Sequence, residues 1–105
     1  GVHQFCHIGA HSFIAANALV LKDVPAYVMA SGHPAKPFGL NSEGLKRRGF
    51  DSNIILSIKR AYKEIYRKKQ SVEEALNAIS AQGNSSPELD LFTYSIEKST
   101  RGIIR

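Results

Sequence analysis

Gly1-Val2-His3-Gln4-Phe5-Cys6-His7-Ile8-Gly9-Ala10-His11-Ser12-Phe13-Ile14-Ala15-Ala16-Asn17-Ala18-Leu19-Val20 opens the chain. Within it, Val2, Ile8, Ile14 and Val20 recur every six residues, and all four are β-branched. A helix places apolar residues three and four apart, and a half-buried strand places them two apart. A six-residue period fits neither. It fits short flat strands separated by corners, each strand turning one aliphatic inward and three strands making one coil of a parallel β-helix. Small residues beside the aliphatics, such as Gly9 and Ala15, suit tight corners. The repeat closes at Lys22-Asp23-Val24-Pro25-Ala26-Tyr27-Val28, where Pro25 removes a ladder donor, as at a last sheet edge.

Residues 1–24 make little more than one such coil. Repeat proteins bury their core between neighbouring repeats, and one coil buries too little apolar surface to offset its chain entropy. The expectation is therefore that further coils precede Gly1, or that other chains cap the open end. A start without Met agrees with this.

Residues 25–40 hold Pro25, Gly32, Pro34, Pro37 and Gly39. The density of breakers predicts a connecting loop over 29–40, with a short extended piece at Tyr27–Ala30. The pattern then becomes helical, and residues 41–105 read as a C-terminal helical domain after the β-helix end at 1–28. Asn41 can cap a short helix, Ser42–Arg48, stopped by Gly49. Asp51 can cap a longer one whose apolar face is Ile54, Ile55, Ile58, Ala61, Tyr62 and Ile65. Ser71 and Glu74 have the spacing of a capping box for a third helix. Gly83-Asn84-Ser85-Ser86 predicts a turn, and Pro87 suits the first position of a fourth helix carrying Leu89, Phe92 and Ile96. The fold class is thus β then α.

The formal charge of +5 favours an anionic partner without choosing one. No run approaches the roughly 18 apolar residues of a membrane span, and no leader pattern opens the chain. The single cysteine, Cys6, cannot form an internal disulfide, which points to a reducing, cytoplasmic compartment with Cys6 as a small buried apolar group. His3, His7 and His11 lie four apart, but a six-residue repeat sends them to different faces, and no carboxylate or cysteine completes a metal site. Lys46-Arg47-Arg48, close to Asn41 and Glu43, suits phosphate, because guanidinium forks bind oxyanions bidentately. A solvated basic helix face is the alternative. No nucleic-acid module, Gly-rich phosphate loop or Ser-His-Asp pattern is present.

Val2-His3-Gln4-Phe5-Cys6 with Ile8-Gly9-Ala10-His11, Asp23-Val24-Pro25-Ala26-Tyr27-Val28, Pro37-Phe38-Gly39-Leu40-Asn41, Glu43-Gly44-Leu45-Lys46-Arg47-Arg48-Gly49-Phe50 and Ser99-Thr100-Arg101-Gly102-Ile103-Ile104-Arg105 together span the chain. They resemble the C-terminal part of the acyl-[acyl-carrier-protein]–UDP-N-acetylglucosamine O-acyltransferase family. The resemblance implies a homotrimer of left-handed β-helices, each followed by a helical domain. The implied reaction moves a 3-hydroxyacyl chain from acyl carrier protein to the 3-hydroxyl of UDP-N-acetylglucosamine, the first step of lipid A synthesis, with no cofactor. The family's general base is a histidine on an earlier coil, so none of His3, His7, His11 or His33 takes that role and the chain alone is expected to be inactive. His3 and Gln4 match positions near the sugar-nucleotide. Asn41, Glu43, Arg47 and Arg48 match the uridine-diphosphate pocket, and Ala16 borders the acyl groove. The basic helices would meet the acidic carrier protein. The chain departs from the family pattern at Gly32-His33-Pro34 and around Gln82–Tyr94.

Overall fold

The six-residue period reappears as corners in the chain. Turns fall at Gln4-Phe5, Ala10-His11 and Ala16-Asn17, and Phe5 and His11 take φ of +70° and +59°. The computed structural model describes residues 1–83 and 85–105. After three corners the chain lies beside its own start. Val2 bridges Val20 and Ile8 bridges Val24, both parallel. Strand β1 (Phe13–Ile14) then pairs in parallel with β2 (Val28–Gly32), Phe13 facing Met29 and Ile14 facing Ala30. The offset is 18 residues for the first pair (20 − 2) and 16 for the next two (24 − 8 and 30 − 14). Two residues are thus dropped between Val20 and Val24, where the sequence repeat lapses.

Burial follows the layering. Val20, Val24, Val28 and Ala30 are buried, whereas Val2 and Ile8, expected to point inward, remain 48% and 41% exposed. Only the later layer packs on them, so one side of each stays open. Gly9 sits where the layers approach most closely: a Cβ there would lie 2.6 Å from the Cα of Ala26.

The segment 29–40, expected as a connecting loop, is instead a hairpin. Strand β3 (Ala35–Leu40) pairs antiparallel with β2, from Val28 opposite Leu40 to Gly32 opposite Ala35, with an irregularity between Met29 and Ala30. The sheet order β1-β2-β3 leaves β3 as an edge, which tolerates Pro37. Two backbone bonds fix the hairpin tip to the coil: Leu19 N–H donates to Gly32 O at 2.9 Å, and Ala35 N–H to Leu19 O at 2.7 Å.

The helices begin where their caps predict. Helix α1 (Ser42–Arg47) starts behind Asn41, whose Oδ1 accepts from Gly44 N–H at 3.3 Å. Helix α2 (Ser52–Tyr66) starts behind Asp51 and buries Ile55, Ile58, Ala61 and Ile65. Helix α3 (Val72–Ala81) has both halves of the Ser71/Glu74 capping box. Helix α4 (Pro87–Glu97) starts behind Ser86 and buries Leu89, Phe92 and Ile96. The expected turn at Gly83–Ser86 includes Asn84, which lies outside the described residues. Helix α2 packs against α1, α3 and α4.

The chain then returns to the coil. Ile103 bridges Asp23 in parallel, and Ile103 and Ile104 are buried. Arg105 reaches across to the end of α2, its guanidinium donating to Ile65 O at 3.1 Å. No helix among the described residues is long and apolar enough to cross a membrane.

Candidate functional site

Helix α1 gathers four of the sequence-predicted residues within eight positions. Asn41 caps it, and Glu43, Arg47 and Arg48 project from it into solvent. Glu43 pairs with Lys46 only at 4.0 Å and both side chains are largely exposed, a contact of little energy. Among the described residues Arg47 and Arg48 enter no ion pair. Gly44 makes the arrangement possible. A Cβ at that position would lie 2.6 Å from the Asn41 amide nitrogen, so only glycine leaves Asn41 its capping geometry. The cap uses Oδ1, and among the described residues Nδ2 has no hydrogen-bond partner. One short helix therefore presents an amide donor, a carboxylate and two guanidinium forks, a set able to grip an anion beside a hydrogen-bonding ring.

The other predicted residues lie elsewhere on the chain. His3 and Gln4 occupy the first corner, where both are exposed and His3 Nδ1 lies 2.8 Å from Gln4 O. Ala16 is exposed at the third corner. Among the described residues no hydrogen bond or ion pair joins either corner to α1. No group of three His, Cys, Asp or Glu side chains among the described residues could hold a metal.

The second corner carries residues whose part the sequence reading did not assign. Tyr27 is fully buried, takes φ +68° and has its phenol pushed up to about 12 by burial, with a smaller contribution from Glu88. Its N–H donates to Ala10 O at 2.9 Å, and its hydroxyl donates to Glu88 O on α4 at 2.6 Å. His11 stacks on its ring, with centroids 5.7 Å apart and planes 4° apart. Phe50 meets both rings edge-on, at 5.9 Å from Tyr27 and 5.8 Å from His11. Three aromatics distant in sequence gave no periodic signal.

A cationic surface lies beside α1, between β3 and α2. A depression of about 600 Å³ is lined by Gly39, Leu40, Ser42, Lys59, Tyr62, Lys63 and Arg67. A neighbouring one of about 440 Å³ adds Lys36, Phe38, Tyr66 and Arg105. Neither lining contains an Asp or Glu side chain. Burial raises the phenols of Tyr62 and Tyr66 above their ordinary value; at Tyr62 the nearby Arg67 partly opposes it.

A parallel coil running into a helical unit, with a polar helix and a cationic groove exposed together, defines a mixed β/α chain built to meet anionic groups. Comparison with known proteins narrows this. The family model described as UDP N-acetylglucosamine O-acyltransferase, domain 2, matches residues 23–104, and the chain belongs to that family. A relative named acyl-[acyl-carrier-protein]–UDP-N-acetylglucosamine O-acyltransferase, from Aliivibrio salmonicida, is 54% identical over 104 residues, 99% of this chain and 40% of the relative. The solved UDP-N-acetylglucosamine O-acyltransferase of Moraxella catarrhalis superposes with a TM-score of 0.93 at 42% identity, covering 100% of this chain and 41% of that one. That of Francisella novicida gives a TM-score of 0.92 at 46% identity, covering 100% and 39%. The chain thus spans about 40% of the length of the curated relatives it matches.

Proposed function

We propose that this chain is the end of a left-handed parallel β-helix and its C-terminal helical domain, in a cytoplasmic homotrimeric acyltransferase. That enzyme moves a 3-hydroxyacyl group from acyl carrier protein to the 3-hydroxyl of UDP-N-acetylglucosamine, the first step of lipid A synthesis. The observation that carries this reading is the likeness, along 99% of the chain, to proteins named acyl-[acyl-carrier-protein]–UDP-N-acetylglucosamine O-acyltransferase. The parallel β-helix is supported by the parallel self-pairing at 18 and 16 residues.

In this reading Asn41 and Glu43 recognise the uridine, while Arg47 and Arg48 hold the diphosphate. His3 and Gln4 contact the sugar, and Ala16 borders the acyl groove. His3 and Gln4 stand at a different corner from α1, which suits a site completed by residues of neighbouring subunits. The reaction needs a base to take the proton of the sugar hydroxyl. The oxygen then attacks the thioester carbonyl, and the carrier thiolate leaves and is protonated. No histidine of this chain is assigned as that base. The groove of Lys36, Lys59, Lys63, Arg67 and Arg105 is the surface offered to the acidic carrier protein.

A transfer assay with acyl carrier protein thioester and UDP-N-acetylglucosamine tests the reading in the full-length protein. Ester formation is expected, and removing both guanidinium groups (Arg47→Ala with Arg48→Ala) should abolish most of it. UDP affinity unchanged by those substitutions would overturn the pocket assignment. Catalysis by residues 1–105 alone would overturn the placement of the base outside them.

A further inference from the structure

We propose that the His11–Tyr27–Phe50 aromatic stack is a positioning device that sets α1, and with it the nucleotide-binding side chains, against the coil. The inference rests on the reading of α1 as the uridine-diphosphate site.

Helix α1 has six residues, too few to hold itself in water. Its own buried contribution is Leu45 alone. A binding constellation must be held to within a fraction of an ångström by rigid support, so something outside the helix has to fix it. Both ends of the α1 segment reach the same residue. At the start, Asn41 N–H donates to Tyr27 O at 2.9 Å. Just past the end, the Phe50 ring meets the Tyr27 ring edge-on at 5.9 Å and 78°. Arg47 and Arg48 lie between these two anchors, three and two residues from Phe50.

Tyr27 is itself held from several sides. Its N–H is bonded to Ala10 on the coil and its hydroxyl to Glu88 on α4. The adjacent Ala26 N–H donates to Ser95 Oγ on α4 at 3.0 Å. His11 completes the stack from the neighbouring layer at φ +59°, a conformation that costs a non-glycine residue energy and persists only where the surroundings hold it. The near-parallel His11 and Tyr27 rings and the perpendicular Phe50 ring are arrangements in which aromatic pairs attract specifically. The stack therefore behaves as a rigid joint through which α1 is registered on the coil.

Isothermal titration of UDP into the full-length protein tests this. Phe50→Leu keeps an apolar side chain but removes the edge-on contacts. His11→Asn removes the other ring while keeping a residue that tolerates positive φ. Each is expected to weaken UDP by about three- to tenfold, with binding stoichiometry retained. Phe50→Tyr restores the ring and should return affinity to the wild-type value. Ile79→Ala, a core truncation in α3, lowers thermal stability without altering UDP affinity, which separates positioning from general loss of stability. Wild-type affinity in Phe50→Leu and His11→Asn, while Arg47→Ala weakens UDP, would overturn the positioning role and leave the site reading standing. Wild-type affinity in Arg47→Ala as well would overturn both.

Discussion

Gly9 shows how one missing methyl group sets the spacing of the coil. Its N–H donates to Val24 O at 2.7 Å, so the two layers are already at bonding distance there. A Cβ would meet the backbone of Pro25 and Ala26, which cannot swing aside as a flexible side chain could. Gly9→Ala should therefore cost about 1–3 kcal/mol and lower the midpoint of thermal unfolding measured by circular dichroism. Tyr27 makes a second argument at this scale. Its phenol is raised from 10 to about 12, chiefly by burial. The neutral form is favoured by the fold, so the contribution is complete below pH 10 and is lost as pH rises through about 12. Alkaline unfolding curves should separate accordingly: Tyr27→Phe gives up the hydroxyl bond to Glu88 at neutral pH, and its deficit relative to wild type shrinks between pH 10 and 12.

The elements differ in how much of themselves they write into the sequence. The helices carry their signals locally. Asn41, Asp51, Ser71 and Ser86 each stand one residue before a helix, and each side chain accepts a bond from the first turn. The hairpin was hidden because Pro and Gly mark loops on average, yet an edge strand tolerates both. What makes 35–40 a strand is pairing with β2 and the anchoring of its tip at Leu19, contacts that no local pattern announces. The site divides in the same way. Its proposed α1 residues stand out in the sequence because they are clustered and chemically distinctive, whereas the His11–Tyr27–Phe50 stack exists only through tertiary contact. The α2–α3 junction gives a prediction of its own. Glu64 accepts from Lys68 Nζ at 2.7 Å and from Gln70 Nε2 at 2.9 Å, and these bonds, that of Lys68 first, hold its carboxyl below the ordinary 4.5. A depressed carboxyl stabilises the fold above its unfolded value and loses that contribution as pH falls through the folded one. The thermal midpoint of Glu64→Gln should thus lie below wild type at pH 7, and the two should converge as the pH drops below about 4.5.

On the scale of the whole molecule, the exposed cations form two distinct surfaces. The cations of α1 stand beside hydrogen-bonding groups and are suited to holding a small anion at short range. Those of the groove, Lys36, Lys59, Lys63, Arg67 and Arg105, line two neighbouring depressions without an Asp or Glu side chain and without any ion pair among the described residues. A field of one sign over such a length acts on encounter before contact, raising the association rate of an acidic protein more than it lengthens the life of the complex. The two surfaces adjoin through Leu40 and Ser42, which line the groove at the start of α1, so under the proposed function a carrier steered along it would arrive beside the nucleotide. In the full-length protein, reversing two groove charges, Lys59→Glu with Lys63→Glu, should lower kcat/KM for the carrier-bound substrate by about tenfold or more at low salt. Because such steering is screened beyond about 8–10 Å at physiological salt, the deficit should narrow as salt is added. UDP affinity should stay at the wild-type value, since neither residue is on α1. A variant that loses kcat at saturating carrier, or whose deficit ignores salt, would mean that these lysines act in the chemical step or in folding rather than in the approach of the partner.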